Sequence, residues 1–301
     1  MAVLGDEKAQ HLHHEEMHIA FTNGRLSTVN GAINRMKKEE IRVHLKVLGL
    51  DDRGAKEVIV RRLKNHYKKL HCVKPKKKND CSTSKMESGQ HYFMVIDFEG
   101  TCEEKNESGY VHEIIEFPAV LVNAKTLELE DEFHRYCRPV EKPILSEFCQ
   151  RLTGITQEKV NNAKPFPEVL SEFEEWLEET SFGTDKTFVV TTDGPWDMGK
   201  FLPEQCTLSG IPVPGFASQW VNVRKHYRRY YKVEEKTPLT LEGIIENLGM
   251  SFEGRPHSGI DDSRNIAKIL VKMVRDGLDP RVNDDIANQK RIAAQRNSRK
   301  S

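Results

Sequence analysis

The sequence predicts an α/β domain preceded by a small basic helical module. Three observations lead to this fold class. Apolar, β-rich runs alternate with runs of helical periodicity from residue 91 to about 280. Residues 34–70 show helical periodicity alone, and residues 71–90 have the composition of a flexible linker. A chain of 301 residues has room for one such domain and an accessory module.

The amino-terminal part divides into a leader, a helical module and a linker. Residues 1–30 are polar without a clear period, and we expect a disordered leader. Within 34–70, apolar spacing predicts two helices, roughly Lys37–Leu48 and Ala55–Leu70. The linker at 71–90 contains the run KPKKK, a pattern typical of nuclear import signals but common by chance.

The α/β domain is expected at 91–278. Its predicted strands are Tyr92–Asp97, Phe117–Asn123 and Thr187–Thr192. Its predicted helices are Pro167–Glu179, Leu239–Leu248 and Asp262–Arg275. The last segment, 279–301, is polar, and we expect a frayed or disordered tail.

Charge is distributed unevenly along the chain. Residues 31–78 contain 16 Lys/Arg and 5 Asp/Glu, a net charge of +11. Because the whole chain has 46 of each class, the remaining residues sum to −11. This pattern favours a polyanion-binding module joined to a part that can hold metal cations. A solvated basic helix face is the alternative, and charge alone does not decide between them.

Composition also narrows the function class. No run of about 18 apolar residues occurs, so we expect neither a membrane span nor a membrane partner. The first residues lack the apolar stretch of a secretory signal. The six cysteines form no CxxC pair, which favours reduced thiols in the cytosol or nucleus.

The first chemical motif is VIDFEGT, where an apolar strand ends in two acids. Strand alternation places Asp97 and Glu99 on one face. Two close carboxylates repel each other unless a cation lies between them, and hard ions such as Mg²⁺ prefer oxygen ligands. A strand end with two solvated acids is the alternative.

The second motif is TTDGPWD, where another strand leads into a helix. Pro195 suits the first helical turn. Two acids, Asp193 and Asp197, then compete for one role. We assign helix capping to Asp193 and cation binding to Asp197.

The third motif is RPHSGIDD at the start of a helix. We expect His257 on the preceding loop and Asp262 on the first helical turn. The alternative is a satisfied loop histidine with an acid that favours the helix dipole.

Together, an acid pair, a single acid and an H-x4-D motif resemble the DEDDh family of 3′→5′ exonucleases. The segment HEIIEFPAV looks like that family's second strand, and LTGIT looks like its substrate-end loop. The resemblance covers about 91–278. It implies a ribonuclease-H-like mixed sheet flanked by helices.

The family resemblance also implies a mechanism. Asp97, Glu99, Asp197 and Asp262 would hold two Mg²⁺ ions, with Mn²⁺ able to substitute. His257 would take the proton from water, and the products would be nucleoside 5′-monophosphates.

The same resemblance implies a pocket for the last nucleotide. Leu152, Thr153, Gly154 and Trp196 would line it beside His257. Trp196 would stack on a base or ribose, and the alternative is a core tryptophan beneath the metal site.

The helical module resembles the SAP motif, a two-helix nucleic-acid binder, through IRVHLKVLGL and GAKEVIVRRL. A cationic surface for phosphates is implied, with binding that weakens as salt rises. Its expected members are Arg61, Arg62, Lys64, Lys68 and Lys69.

A SAP module, basic linker and DEDDh nuclease in this order resemble exoribonucleases that act on histone mRNA. The resemblance implies binding of the histone-mRNA 3′ stem-loop, with the stem-loop-binding protein as a partner. It also implies trimming of ribosomal 5.8S rRNA and degradation of small interfering RNA, in the cytoplasm, nucleus and nucleolus. Two alternatives stay open: a proofreading or repair DNA 3′ exonuclease, because a metal site does not separate DNA from RNA, and a non-catalytic RNA-binding scaffold.

Overall fold

The computed structural model describes residues 16–73, 92–107, 109–180 and 186–298. The chain divides into two compact units. The first unit comprises Met1–Thr83, Arg228–Phe252 and Lys272–Asp279. The second unit comprises Ser84–Tyr227, Glu253–Val271 and Pro280–Ser301. Among the described helices, none combines the length and apolarity needed to cross a bilayer.

The amino-terminal part of the first unit is helical. Its helices are α1 at 16–23, α2 at Leu26–Arg35, α3 at Lys38–Val47 and α4 at Lys56–Val73. Ile41 and Leu45 on α3, and Leu63 and Tyr67 on α4, are spaced by four residues, so each pair lies on one helix face. These side chains are fully buried and form the apolar core of the module.

The prediction of a disordered leader at 1–30 is wrong for its second half. Residues 16–23 and 26–30 are helical, because Val29 and Ile33 of α2 are buried in the core and Phe21 packs against it. The polar surface of these short helices hid their apolar face in the sequence. Residues 1–15, and 74–90 of the predicted linker, lie outside the described residues.

The second unit is built on one mixed sheet. Its strands are β1 Tyr92–Ile96, β2 Glu99–Gly100, β3 Ile114–Asn123, β4 Leu129–Arg138, β5 Lys164–Pro165, β6 Phe188–Thr192, β7 Gln219–Asn222 and β8 Asp284–Asp285. The order is β5-β4-β3-β1-β6-β7-β8, and β2 pairs with β3. β1 is antiparallel to β3 and parallel to β6, and all five of its residues are buried, as expected for a central strand.

The remaining helical segments follow in chain order. They are α5 Glu147–Thr153, α6 Gln157–Asn161, α7 Phe166–Glu179, a π-helical turn Asp197–Phe201, α8 Leu202–Leu208, a 3₁₀ turn Gly215–Ala217, α9 Val223–Tyr231, α10 Leu241–Asn247, α11 Gly259–Arg275 and α12 Ile286–Ser298. The predicted mixed sheet flanked by helices is confirmed.

Two parts of this fold escaped the sequence prediction. β4 has the sequence LEDEFHRYCR, whose many charged residues point to its exposed face, so it lacked an apolar run. The polar segment 279–301 was expected to be frayed, yet β8 pairs with β7 and α12 follows it. Asp284 holds this segment, because its buried carboxylate accepts hydrogen bonds from Asn222, Asn288 and Gln289.

Candidate active site

Parallel pairing of β1 and β6 brings two acid-bearing segments to one edge of the sheet. Val95 of β1 lies opposite Thr191 of β6, so both strands end at the same place. Asp97 follows β1 directly, and Asp197 begins the π-helical turn after β6. A hydrogen bond joins the two segments: the backbone N–H of Phe98 donates to Oδ1 of buried Asp197 at 2.9 Å.

Asp193 does not cap the helix that follows it, so this assignment is wrong. Its carboxylate pairs with the guanidinium of Arg224, and the π-helical turn begins without a side-chain cap. The two acids differ in burial and in the groups that they contact. Asp193 faces a cation from α9, whereas Asp197 points toward the end of β1.

The π-helical turn is fixed from behind by the carboxy-terminal helix. A side chain at Gly199 would meet Cγ of Gln289 at 2.9 Å, so only glycine allows α12 to pack this closely. Single π-helical turns occur frequently at functional sites. The segment predicted to be a tail therefore supports the turn that carries Asp197.

The start of α11 supplies the remaining motif. The backbone N–H of His257 donates to Oδ2 of Asp262 at 2.9 Å, and His257 has a positive φ of 64°. The carboxylate of buried Glu116 accepts from the backbone N–H groups of Gly259 and Ile260 at 3.0 and 3.3 Å. This acid satisfies orphan donors at the helix start and favours its dipole.

Gly259 brings α11 against the end of β1. A Cβ atom at this position would lie 2.7 Å from the backbone oxygen of Asp97. The close approach places His257 and Asp262 beside the strand-end acids. Ligand atoms of Glu99, His257 and Asp262 lie within 4.8 Å of one another, which is compatible with a shared metal ion.

The acids of the cluster raise one another's pKa. Burial raises the pKa of Asp97 well above its ordinary value, and the charges of Asp197, Glu99 and Asp262 raise it further. Burial, then Glu116, Asp262 and Asp197, likewise raise the pKa of Glu99.

The pKa of Asp197 is also raised. Burial raises the pKa of Asp197 to about 7, with a smaller contribution from Asp193, although the Phe98 N–H lowers it. Acids of one sign that raise one another's pKa need an external cation to stay ionised together. The cluster offers the oxygen atoms of four carboxylates and one imidazole nitrogen. Oxygen-rich ligand sets of this kind fit a hard divalent ion.

The predicted pocket residues are partly exposed. Trp196 has 54% of its surface exposed, which excludes the core-tryptophan alternative. Its ring lies 4.5 Å from Nζ of Lys200. Thr153 is buried instead, because its hydroxyl donates to the Cys149 carbonyl at 2.8 Å. Gly154 ends α5 with φ 73°, a left-handed conformation that favours glycine.

The predicted cationic surface loses one member. Arg62 is buried and its guanidinium donates to both oxygens of Asp276 at 2.9 and 3.0 Å, so it is not available to phosphates. Lys68 and Lys69 are exposed on α4. Lys64 donates to the Asn34 side chain at 2.5 Å, still on an exposed surface.

Arg61 also differs from a simple solvated cation. Its guanidinium lies over the ring of Tyr230, 4.4 Å from the centroid. This cation–π contact leaves part of the guanidinium accessible.

Sequence reasoning missed the supporting residues of the site. Glu116 is the clearest case, and a signal existed: it is a lone acid inside the apolar run IIEFPAV. A buried acid in a strand needs donors, and here they come from α11 and from His134, whose Nε2 lies 2.7 Å away. Arg224 and Gln289 carried no such signal.

Both the module and the α/β domain of this chain match known protein families. A model of the exonuclease family matches residues 94–270, and a model of the SAP domain matches residues 32–68. A protein of Mus musculus named 3′-5′ exoribonuclease 1 is 48% identical over 262 residues, covering 87% of this chain and 74% of that protein.

Two solved structures are similar to this chain. One, described as 3′-end specific recognition of histone mRNA stem-loop by 3′-exonuclease, has a TM-score of 0.64 at 48% identity and covers 66% of this chain and 88% of that chain. The other is the nuclease domain of 3′hExo, a DEDDh family member, bound to rAMP. It has a TM-score of 0.64 at 49% identity and covers 66% of this chain and 98% of that chain.

Proposed function

Because this chain belongs to the exonuclease family, among the 3′-5′ exoribonucleases, we propose that it removes nucleotides from RNA 3′ ends by Mg²⁺-supported hydrolysis. The enzyme class follows from the matched exonuclease domain and from 48% identity to 3′-5′ exoribonuclease 1. Divalent-metal dependence is a property of its DEDDh family. The choice of Mg²⁺, with Mn²⁺ as a substitute, and the use of two ions are parts of the proposal.

One observation carries the proposed chemistry: two buried acids, Asp197 and Asp262, and two half-buried acids meet an imidazole at one sheet edge. Ligand atoms of Glu99, Asp262 and His257 lie within 4.8 Å of one another, and Asp97 and Asp197 belong to the same charged cluster. We assign the four acids as metal ligands. When bound, the ions would activate water and neutralise charge on the phosphate and leaving oxygen.

His257 is the proposed proton acceptor. Its imidazole is exposed, so water can reach it, while its backbone is held by Asp262 at 2.9 Å. Imidazole is the side chain suited to take a proton at neutral pH. Transfer of a proton from water to the imidazole leaves a hydroxide to attack the phosphorus. The bond from phosphorus to the 3′-oxygen of the preceding nucleotide then breaks. The shortened RNA leaves with a 3′-hydroxyl after its oxygen takes up a proton, and the last nucleotide is released as a nucleoside 5′-monophosphate.

Recognition of the terminal nucleotide is assigned to Trp196 and the segment Leu152–Gly154. Trp196 presents an exposed ring one residue before Asp197, where a base or ribose can stack. Thr153 supports this pocket through its backbone, because its hydroxyl is already bonded inside α5. We assign the contact with the 3′-terminal sugar to backbone carbonyls of this segment, because the N–H of Gly154 already donates to the Gln150 carbonyl at 2.9 Å.

The proposed substrate is the histone-mRNA 3′ stem-loop. Its support is the solved 3′-exonuclease that recognises this RNA and is 48% identical to this chain. The SAP-domain match at 32–68 and the exposed lysines Lys68 and Lys69 supply a phosphate-binding surface. The stem-loop-binding protein on the same RNA, 5.8S rRNA of the ribosome and small interfering RNA extend the proposal, as does a location in the cytoplasm, nucleus and nucleolus.

A time course on labelled stem-loop RNA tests the direction of cleavage. With Mg²⁺, RNA labelled at its 3′ end should release labelled mononucleotide at once. RNA labelled at its 5′ end should give a descending ladder that stops near the stem. Internal fragments from the 5′-labelled RNA would contradict exonucleolytic action, and intact RNA would favour the scaffold alternative.

Matched single strands of RNA and DNA test the substrate class. We expect faster loss of the RNA strand. Faster loss of DNA would favour the repair-type alternative instead.

A further inference from the structure

Arg255 connects the loop that carries His257 to the end of α5. Its Nη2 donates to the backbone oxygen of Arg151 at 2.6 Å and to that of Leu152 at 3.3 Å. The last carbonyls of a helix have no partner within the helix, and a cation there also favours the helix dipole. The guanidinium thus satisfies the end of α5 from outside.

The guanidinium lies so close to Gly154 that it leaves no room for a larger residue there. A Cβ atom at Gly154 would lie 1.4 Å from Nη1 and 2.6 Å from Cζ of Arg255. Gly154 also has φ 73°, so a side chain is disfavoured by conformation as well as by space. The guanidinium therefore lies directly on the backbone of the segment assigned to the terminal nucleotide.

The backbone of Arg255 is fixed at its own end. Its N–H donates to Oδ2 of Asp261 at 3.0 Å. The preceding Gly254 has φ 85°, and a Cβ atom there would lie 2.4 Å from the carboxylate carbon of Asp261. Two residues later, the N–H of His257 is held by Asp262. The loop from Gly254 to His257 is thereby anchored to α11 by backbone contacts.

The side chain of Arg255 joins the His257 loop to α5. Backbone contacts tie the loop to α11, whereas the guanidinium ties it to α5. Among the described residues, the hydrogen bonds that join the His257 loop to the end of α5 all come from this guanidinium.

We propose that Arg255 is a positioning residue, which holds the proton acceptor His257 in a fixed place relative to the pocket for the terminal nucleotide. The inference rests on the proposed function of His257 and of Leu152–Gly154. Arg255 touches no reacting atom in this account and acts through His257. The competing role, a direct contact from exposed Arg255 to an RNA phosphate, gives a different kinetic result.

The test compares kcat and KM of the full chain on single-stranded RNA with Mg²⁺. The variants are Arg255→Ala, Arg255→Lys, His257→Ala and the double variant. Misplacing a catalytic group by about 1 Å can cost on the order of 100-fold, so we expect Arg255→Ala to lower kcat by roughly 10- to 100-fold. Arg255→Lys should recover part of this loss, because an ammonium can still reach one carbonyl.

The double variant separates positioning from other roles. If Arg255 acts through His257, the double variant should be no slower than His257→Ala alone, because the group being positioned is already gone. Independent, multiplying losses would overturn the proposal. So would a change confined to KM with a weaker salt dependence, which is the signature of a phosphate contact.

Two further variants keep the result interpretable. Arg138→Ala removes another exposed arginine, at the end of β4, and should leave kcat unchanged. Gly154→Ala displaces the guanidinium without removing its charge and should reproduce the fall in kcat. An unchanged kcat in Gly154→Ala, with thermal unfolding showing a folded protein, would contradict the proposal. Failure of the wild-type chain to cleave RNA would instead count against the proposed function.

Discussion

Buried charge is handled in opposite ways in the two units. In the first unit, buried Arg62 finds both carboxylate oxygens of Asp276 at 2.9 and 3.0 Å, and it also donates to the Asp51 and Arg53 carbonyls. In the second unit, none of the ion pairs among the described residues involves the half-buried Asp97 and Glu99 or the buried Asp197. Each instead has further acids as neighbours.

This difference separates structural charge from functional charge. A buried ion whose partner belongs to the chain completes the fold, and removing either partner leaves an uncompensated charge. Buried ions of one sign remain uncompensated until a ligand arrives. The comparison therefore predicts that the acids are needed for turnover and that Arg62 is needed for stability.

The largest expected effect is on turnover in Asp97→Ala. Loss of this proposed metal ligand should lower kcat by about 1,000-fold or more, while binding of stem-loop RNA is largely kept. Cleavage of 5′-labelled RNA and a gel-shift titration measure the two quantities. Glu128→Ala, an exposed acid in the β3–β4 turn, is the matched control and should cleave normally. Retained turnover in Asp97→Ala would place the chemistry elsewhere.

The next effect is on stability in Arg62→Ala. Removing one partner of this buried pair should cost about 3–5 kcal/mol of unfolding free energy. Denaturant unfolding measures it. The double variant Lys68→Ala/Lys69→Ala is the contrast, since both lysines are exposed on the same helix. It should keep its stability and lower the slope of log affinity against log salt by about 1.4 to 1.8. Unchanged stability in Arg62→Ala, together with lower stability in the double lysine variant, would contradict a structural role for Arg62.

A smaller effect is expected at the exposed tryptophan. Trp196→Ala should raise KM for RNA by the equivalent of about 1–3 kcal/mol, because a stacking surface is lost. The midpoint of thermal unfolding should barely change, since 54% of this side chain is exposed. Steady-state kinetics beside a thermal scan measure both. A large fall in the midpoint with KM unchanged would show that the ring belongs to the core.

The smallest effect concerns pH and stability without metal. The pKa of Asp197 is raised from 3.8 to about 7 in the folded protein. Between these two pH values, the folded protein keeps a proton that the unfolded chain has released. Stability in EDTA should therefore be highest below about pH 4 for this group and should fall as pH rises through 7. Comparing thermal midpoints at about pH 5 and pH 8 should show a decrease of a few degrees.

Two comparisons isolate the source of that decrease. Asp197→Asn should flatten the pH dependence, because the titrating group is removed. Added Mg²⁺ should restore the midpoint at the higher pH. A midpoint in EDTA that rises equally in wild type and variant would contradict the assigned sign.

The predictable part of the site was local in sequence. Asp97 and Glu99 are two residues apart on a strand end, and His257 and Asp262 flank a helix start, so element type and spacing fixed their places. Asp193 was misassigned because its partner, Arg224, lies 31 residues away. Arg62 was misassigned for the same reason, since Asp276 is 214 residues further on.

The fold shows the same limit. β1 and β6 were predicted because almost all of their residues are buried, so that their sequences YFMVI and FVVTT consist of apolar or β-branched residues. β4 and the segment 284–298 were missed because their polar residues are satisfied by distant partners, as Asp284 is by Asn222. The support of the π-helical turn by Gln289 depends on the packing of α12 and has no local signature.

Calorimetric titration of Mn²⁺ or Mg²⁺ tests the central claim most directly. Wild-type protein should bind the ion and release protons as it does so, because acids with raised pKa values must ionise to become ligands. Asp97→Asn should lose most of this heat and of the proton release, while Glu128→Ala should titrate like wild type. Equal binding by Asp97→Asn would contradict the claim that the clustered acids at this sheet edge hold the catalytic cation.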